Sequence, residues 1–242
     1  MKPKDNLKLV DLQTHIKKLR QDLKDVKSKI SKIKTSDGTK SKFQGMEKRL
    51  NAEITAVEKE YKNISTRFTS THNTKIHRIS RIQNRYLYNH FEFERKRIQK
   101  NNKNGKANVK ELFHGTRGTD PKAIYYGTTG CGFDARLGGG FYGRGAYFAE
   151  KASYSNGYCH NSNGHKYMFL AHVACGNVKD YGTTLMNSLK RAPDLPPGHP
   201  DYGNATVPGL YDSVKGGPHS GSCMYIIYTL SQAYPAYLIE YA

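Results

Sequence analysis

The stretch Gly143-Arg-Gly-Ala-Tyr-Phe-Ala149 decides how the chain is read. From Gly127 to Gly145 glycines interrupt the sequence repeatedly, so the segment reads as a long loop. At Ala146 the pattern changes to a short apolar run, Ala146–Ala149, of the kind that forms a buried strand. Similar runs occupy Tyr167–Val173, Cys223–Leu230 and Tyr237–Tyr241, whereas residues 187–222 are rich in Pro, Gly and Asp and read mostly as loop. Upstream, residues 55–68 and Tyr86–Gln99 read as helices. Residues 74–83 are ambiguous, with Ile76, Ile79 and Ile82 at three-residue steps. Thr119-Asp120-Pro121 combines a capping residue with a first-turn proline and marks a helix start. The fold class is therefore α+β, with a mixed or antiparallel sheet and large loops.

The 242 residues are ample to bury a core, as one sizeable domain with an appendage or as two small domains. With 36% hydrophobic and 11% aromatic residues, full disorder is excluded. No apolar run approaches a membrane span, and the start, MKPKDNLKLV, lacks the apolar core of a secretory signal, so a nuclear or cytoplasmic location is expected. The net charge of +19 is unevenly placed. Residues 1–110 hold 29 Lys and Arg against 11 Asp and Glu, and the remainder holds 10 against 9. Cys131, Cys159, Cys175 and Cys223 have no zinc-ligand spacing, so free thiols are expected and no metal.

Leu9, Leu12, Ile16, Leu19, Leu23, Val26, Ile30 and Ile33 alternate three- and four-residue steps, which predicts a helix with a narrow apolar seam. Ser36-Asp37-Gly38 breaks it, and a second series runs through Phe43, Met46, Leu50, Ile54, Val57, Tyr61 and Ile64. An intramolecular helical hairpin is favoured over a parallel homodimer through the first helix. The lysines of this segment suit weak contact with nucleic acid, although no aromatic platform interleaves them and a solvated face is the plainer reading.

Gly130-Cys-Gly-Phe-Asp-Ala135 fits a loose dinucleotide fingerprint but lacks the strand before it and the helix after it, so it is set aside. More specific are Leu-Phe-His-Gly-Thr at 112–116, Gly-Arg-Gly-Ala-Tyr-Phe-Ala at 143–149 and Ala-Ser-Tyr-Ser-Asn-Gly-Tyr-Cys at 152–159. Tyr-Asp-Ser-Val at 211–214, Met-Tyr-Ile-Ile-Tyr from 224, Gln-Ala-Tyr-Pro from 232 and Ile-Ser-Arg-Ile-Gln-Asn at 79–84 complete the set. In this order they closely resemble the catalytic domain of the poly(ADP-ribose) polymerase-like ADP-ribosyltransferases. The resemblance covers about 53–242 and implies an ADP-ribosyltransferase fold with a split sheet and flanking helices. Residues 1–52 then form a separate basic, coiled-coil-like helical segment.

The resemblance further implies an NAD site. His114 would bond the adenosine ribose, Gly115 and Ser155 the nicotinamide carboxamide, and Thr116 a ribose. Tyr158 and Tyr147 would sandwich the nicotinamide ring, with the loop from Leu137 to Arg144 lining the pocket. Polymerising members use a His-Tyr-Glu triad, whereas here the triad reads His114, Tyr147, Met224. An apolar residue at the third place resembles the mono-ADP-ribosylating branch, which implies transfer of one unit to a protein acceptor or to the chain itself. The alternatives are a catalytically inactive NAD-binding scaffold and a nucleic-acid-binding or self-associating protein acting through the basic amino-terminal helices. The absence of Trp, and the fifty residues ahead of the resemblance, imply no Trp-containing accessory module and no autoinhibitory helical domain.

Overall fold

The computed structural model describes residues 7–33, 38–126, 132–133, 140–203, 209–219, 221 and 223–242. In chain order the elements are β1 (Leu7–Asp11), α1 (Leu12–Lys32), α2 (Gly38–Thr69), β2 (Ile76–Asn84), α3 (Arg85–Asn101), β3 (Val109–His114) and α4 (Pro121–Tyr125). They continue with β4 (Ala146–Ala149), α5 (Ala152–Asn156), β5 (His160–Ser162), β6 (His165–Ala174), β7 (Val178–Asp180), β8 (Ser213–Gly216), β9 (Met224–Ile227) and β10 (Ala233–Tyr241). Among the described residues the strands form one mixed sheet of order β1-β2-β10-β6-β3-β4-β9-β8-β7, with β5 paired to β6. All pairs are antiparallel except β7 with β8.

The apolar run in β6 is explained by burial on both faces. Met168 and Leu170 join a core with Phe113, Ile239 and the helices α1 and α2, while Phe169 and Ala171 join the opposite core with Leu112, Phe148 and Ile227. A strand sandwiched between two layers needs apolar residues at every position. The same logic resolves the ambiguous segment at 74–83. An odd step places Ile79 and Ile82 on opposite faces, and both are buried, in different cores.

The amino-terminal reading needs correction at its first residue. Leu9 lies in β1 and not in a helix, paired with Ile82 in β2. Asp11 starts α1, its carboxylate accepting from the Gln13 and Thr14 N–H groups at 3.0 and 3.3 Å. From Leu12 onward the seam holds, with Leu12, Leu19 and Val26 fully enclosed at seven-residue steps. The seam packs on α2, so the two helices form an intramolecular hairpin. α2 is one helix from Gly38 to Thr69, and residue 52 falls inside it. Half-buried charges join α2 to the sheet: Arg81 Nε and the Tyr237 hydroxyl both donate to Glu60 Oε1 at 2.7 Å, and Arg67 pairs with Glu111.

Two further corrections concern the carboxyl-terminal half. The strand expected over Cys223–Leu230 is only Met224–Ile227, followed by a tight turn at Leu230–Gln232. The region 187–222, read mostly as loop with no strand named in it, contains β8, which pairs on both sides with β7 and β9. Cys159, Cys175 and Cys223 are free thiols, and Cys131 and most of the glycine-rich stretch from 127 to 139 lie outside the described residues. Among the described residues no helix is long and apolar enough to cross a membrane.

Candidate active site

β3 and β4 pair at a single position, Phe113 with Ala149. Beyond it the chains diverge, since β3 continues along β6 and β4 along β9. A cavity of about 390 Å³ opens at this split. His114, Gly115 and Thr116 reach it from the end of β3, Tyr147 from β4, Ser155 and Tyr158 from α5 and the turn after it, and Met224 from the start of β9. All seven residues singled out in the sequence thus line one cavity.

His114 sits against Phe133 and Phe148, with ring centroids 4.7 and 5.1 Å away. Burial disfavours the imidazolium and lowers the His114 pKa to about 4 despite a backbone hydrogen bond to Tyr147. That bond runs from Nδ1 to the Tyr147 carbonyl oxygen at 2.6 Å. Because the partner is a carbonyl, Nδ1 carries the proton and the neutral ring keeps an acceptor lone pair on Nε2.

The Tyr147 hydroxyl braces the loop just before its own strand. It accepts from the Tyr142 N–H at 2.9 Å and donates to the Gly143 carbonyl at 2.7 Å. Burial raises its pKa, so it is a neutral phenol at neutral pH.

Gly115 is required by a close backbone approach. A Cβ there would lie 2.4 Å from the Tyr158 carbonyl oxygen, which itself accepts from the Arg117 N–H at 2.6 Å. The crossing holds the His-Gly-Thr segment against the turn that carries Tyr158. Ser155, buried, donates its hydroxyl hydrogen to the Phe113 carbonyl at 3.1 Å, and Thr116 donates to the Thr119 carbonyl at 2.7 Å. Both hydroxyls retain lone pairs to accept a further hydrogen bond.

Met224 is 2% exposed and packs with Tyr142, Val214 and Ile226. Its thioether offers the cavity neither a carboxylate nor a base.

Sequence reasoning missed several lining residues. Arg117 adopts φ +52°, uncommon for a residue with a side chain, and its guanidinium lies 4.6 Å from the Tyr158 ring centroid. Phe133, Phe141 and Tyr154 also line the cavity. Arg117 follows the His-Gly-Thr motif directly and could have been noted for that. Tyr154 lies inside the motif at 152–159 and Phe141 inside the loop expected to line the pocket, whereas Phe133 carries no local signal. Of the loop expected from Leu137 to Arg144, residues 137–139 lie outside the described residues, while Gly140 and Phe141 line the cavity. Among the described residues no cluster of three or more His, Cys, Asp or Glu side chains is arranged to hold a metal ion.

Comparison with known proteins agrees with this geometry. Residues 52–242 match the family model described as the poly(ADP-ribose) polymerase catalytic domain. A probable poly(ADP-ribose) polymerase of Dictyostelium discoideum is 36% identical over 190 residues, covering 75% of this chain and 49% of that protein. The protein mono-ADP-ribosyltransferase PARP14 of Homo sapiens is 32% identical over 197 residues, covering 78% of this chain and 10% of its own length. The protein mono-ADP-ribosyltransferase PARP12 of Mus musculus is 31% identical over 170 residues, covering 69% and 22%. This chain thus spans half or less of each of these relatives. With a match over most of its length and the motif residues gathered at one cavity, the chain belongs to the poly(ADP-ribose) polymerase catalytic domain family.

Proposed function

We propose that the chain is an NAD-dependent mono-ADP-ribosyltransferase that moves one ADP-ribose to a protein side chain, including its own, and releases nicotinamide. The observation that carries this reading is the convergence of His114, Gly115, Tyr147, Ser155, Tyr158 and Met224 on one cavity at the split of the sheet. The residues fit the substrate. A neutral His114 accepts from a ribose hydroxyl through Nε2. Ser155, its hydrogen engaged by Phe113, accepts from the carboxamide N–H, and the Gly115 backbone completes that recognition. Tyr158 supplies the ring face on which nicotinamide stacks, and Tyr147 packs from the other side.

In the reaction the C–N bond between nicotinamide and its ribose breaks, the electron pair leaves with nicotinamide, and an acceptor atom bonds to the same ribose carbon. The protein contributes by holding the leaving ring, orienting the ribose and excluding water. Met224 leaves the site without a group to bind the ribose hydroxyl or to deprotonate an incoming sugar hydroxyl. A carboxylate acceptor needs no deprotonation and can be modified once, whereas elongation on a ribose hydroxyl stops. The names of the PARP12 and PARP14 relatives support single transfer.

Met224 also favours a second reading, an inactive NAD-binding scaffold. Incubation with NAD labelled in its adenylate half separates the two. Label carried on protein as single units, with nicotinamide released, is expected. NAD binding without label transfer or nicotinamide release would leave only the scaffold.

A further inference from the structure

α3 carries two stripes. Leu87, Phe91, Glu94 and Ile98 face the core, packing with Ala107, Ala174, Tyr234 and Ala236. On another face Tyr86, His90, Phe93, Arg97 and Lys100 follow steps of four, three, four and three residues, so they lie in one row about 21 Å long. Phe93 is 72% exposed and Tyr86 is 40% exposed, and the Tyr86 and His90 ring centroids are 4.3 Å apart. A solvated helix face has no need of an aromatic row, and lysines that only complement a helix dipole would not explain Phe93.

The charge around the row is positive. Residues 85–106 hold seven Lys and Arg against two Asp and Glu. Both acids are matched within the helix, Glu92 by Arg95 at 2.8 Å and Glu94 by Arg97 at 2.9 Å. Exposed Lys100 ends the row, exposed Lys96 lies to one side of it on the helix, and exposed Lys103 and Lys106 follow the end of the helix. Exposed rings, Tyr86 and His90 tilted against each other and Phe93 one turn on, beside a run of ammonium groups suit bases that stack along a phosphate backbone. We propose that this face of α3 binds single-stranded nucleic acid, with Tyr86, His90 and Phe93 as the stacking row and the lysines as phosphate contacts. The surface is separate from the donor cavity and shares no lining residue with it.

The test is fluorescence anisotropy of the whole chain with a labelled oligouridylate and an oligothymidylate of about 15 nucleotides each, over a range of salt. A duplex of the same length is the competitor. Removing both rings as Tyr86→Ala with Phe93→Ala is expected to weaken single-strand binding about five- to a hundredfold, and Lys96→Gln with Lys100→Gln to weaken it and flatten its salt dependence. All these side chains are exposed, and unchanged unfolding midpoints and NAD turnover verify that the variants are intact. Lys17→Gln with Lys18→Gln on α1 serves as the control and should leave affinity within about twofold. The proposal is overturned by absence of binding, by an aromatic variant that binds as the parent does, by loss confined to the α1 variant, or by a duplex that competes as well as the single strand. Self-association that disappears with Phe93→Ala would instead mark a protein interface and also overturn it.

Discussion

The Nδ1 atom of His114 lies 2.6 Å from the carbonyl oxygen of Tyr147, so the imidazole at the end of β3 is held by the backbone of β4 where the two strands part. The bond fixes the tautomer, and burial keeps the ring neutral with its pKa lowered from 6.5 to about 4. An unfolded chain takes up a proton on this histidine as pH falls through 6.5, while the folded chain refuses it until about pH 4. Stability therefore rises with pH across that window, and acid favours unfolding. Denaturant unfolding at pH 7 and pH 4.5 should show the parent losing about 2 kcal/mol more than His114→Asn, which keeps a donor near Nδ1. Equal losses would contradict the assignment.

Tyr147→Phe removes the hydroxyl that joins the Tyr142 N–H to the Gly143 carbonyl and leaves both without that partner. We expect a stability loss of about 1–3 kcal/mol and weaker NAD binding, read by thermal unfolding and calorimetric titration. A variant as stable as the parent would show that the loop before β4 does not depend on this brace.

Gly115→Ala places a methyl group against the Tyr158 carbonyl, where the obstacle is backbone and cannot rotate aside. The crossing of the two segments must open, at a cost of about 1–3 kcal/mol, and NAD affinity should fall with it. Unchanged binding would separate the crossing from the donor site.

Met224→Glu places a carboxylate at the edge of the cavity, where the side chain also packs with Tyr142, Val214 and Ile226. NAD turnover should rise by about ten- to a hundredfold and products should lengthen beyond one unit, more so at higher pH, because burial raises the new carboxyl's pKa. Unchanged turnover and product length would remove position 224 from the account of single transfer.

Leu12→Ala probes the amino-terminal hairpin. Leu12 is fully enclosed in the core that also holds Phe68, Ile79, Phe113 and Ile239. If α1 is part of that core, the substitution should cost about 2–5 kcal/mol in the global unfolding transition. A separate, weak transition for the first helix would contradict it.

Much of the fold was legible because its signals are local. The Ala146–Ala149 run became β4 without change, and the Asp120 cap with Pro121 began α4 as expected. The seam from Leu12 to Val26 faced the core at its predicted spacing. β8 was not legible, since Ser213–Gly216 is short and set among prolines and glycines, and it becomes a strand only because β7 and β9 supply its backbone partners. Leu9 continued the helical spacing without a break and still became a strand, because β2 offers hydrogen bonds along Leu7–Asp11 and Asp11 caps the helix after it.

The candidate site divides in the same way. The sequence by itself determined which residue types occupy the motifs: a histidine beside a glycine, two tyrosines, a serine, and a methionine at the start of the strand Met224–Ile227. Those identities are covalent facts and need no fold to be read. Only the tertiary structure decided that β3 and β4 separate after one pair, that the His114 proton sits on Nδ1, and that the Ser155 hydrogen is engaged by Phe113. Each depends on backbone groups brought together from segments distant in sequence, and a linear chain does not state which carbonyl will face which donor until the strands have paired.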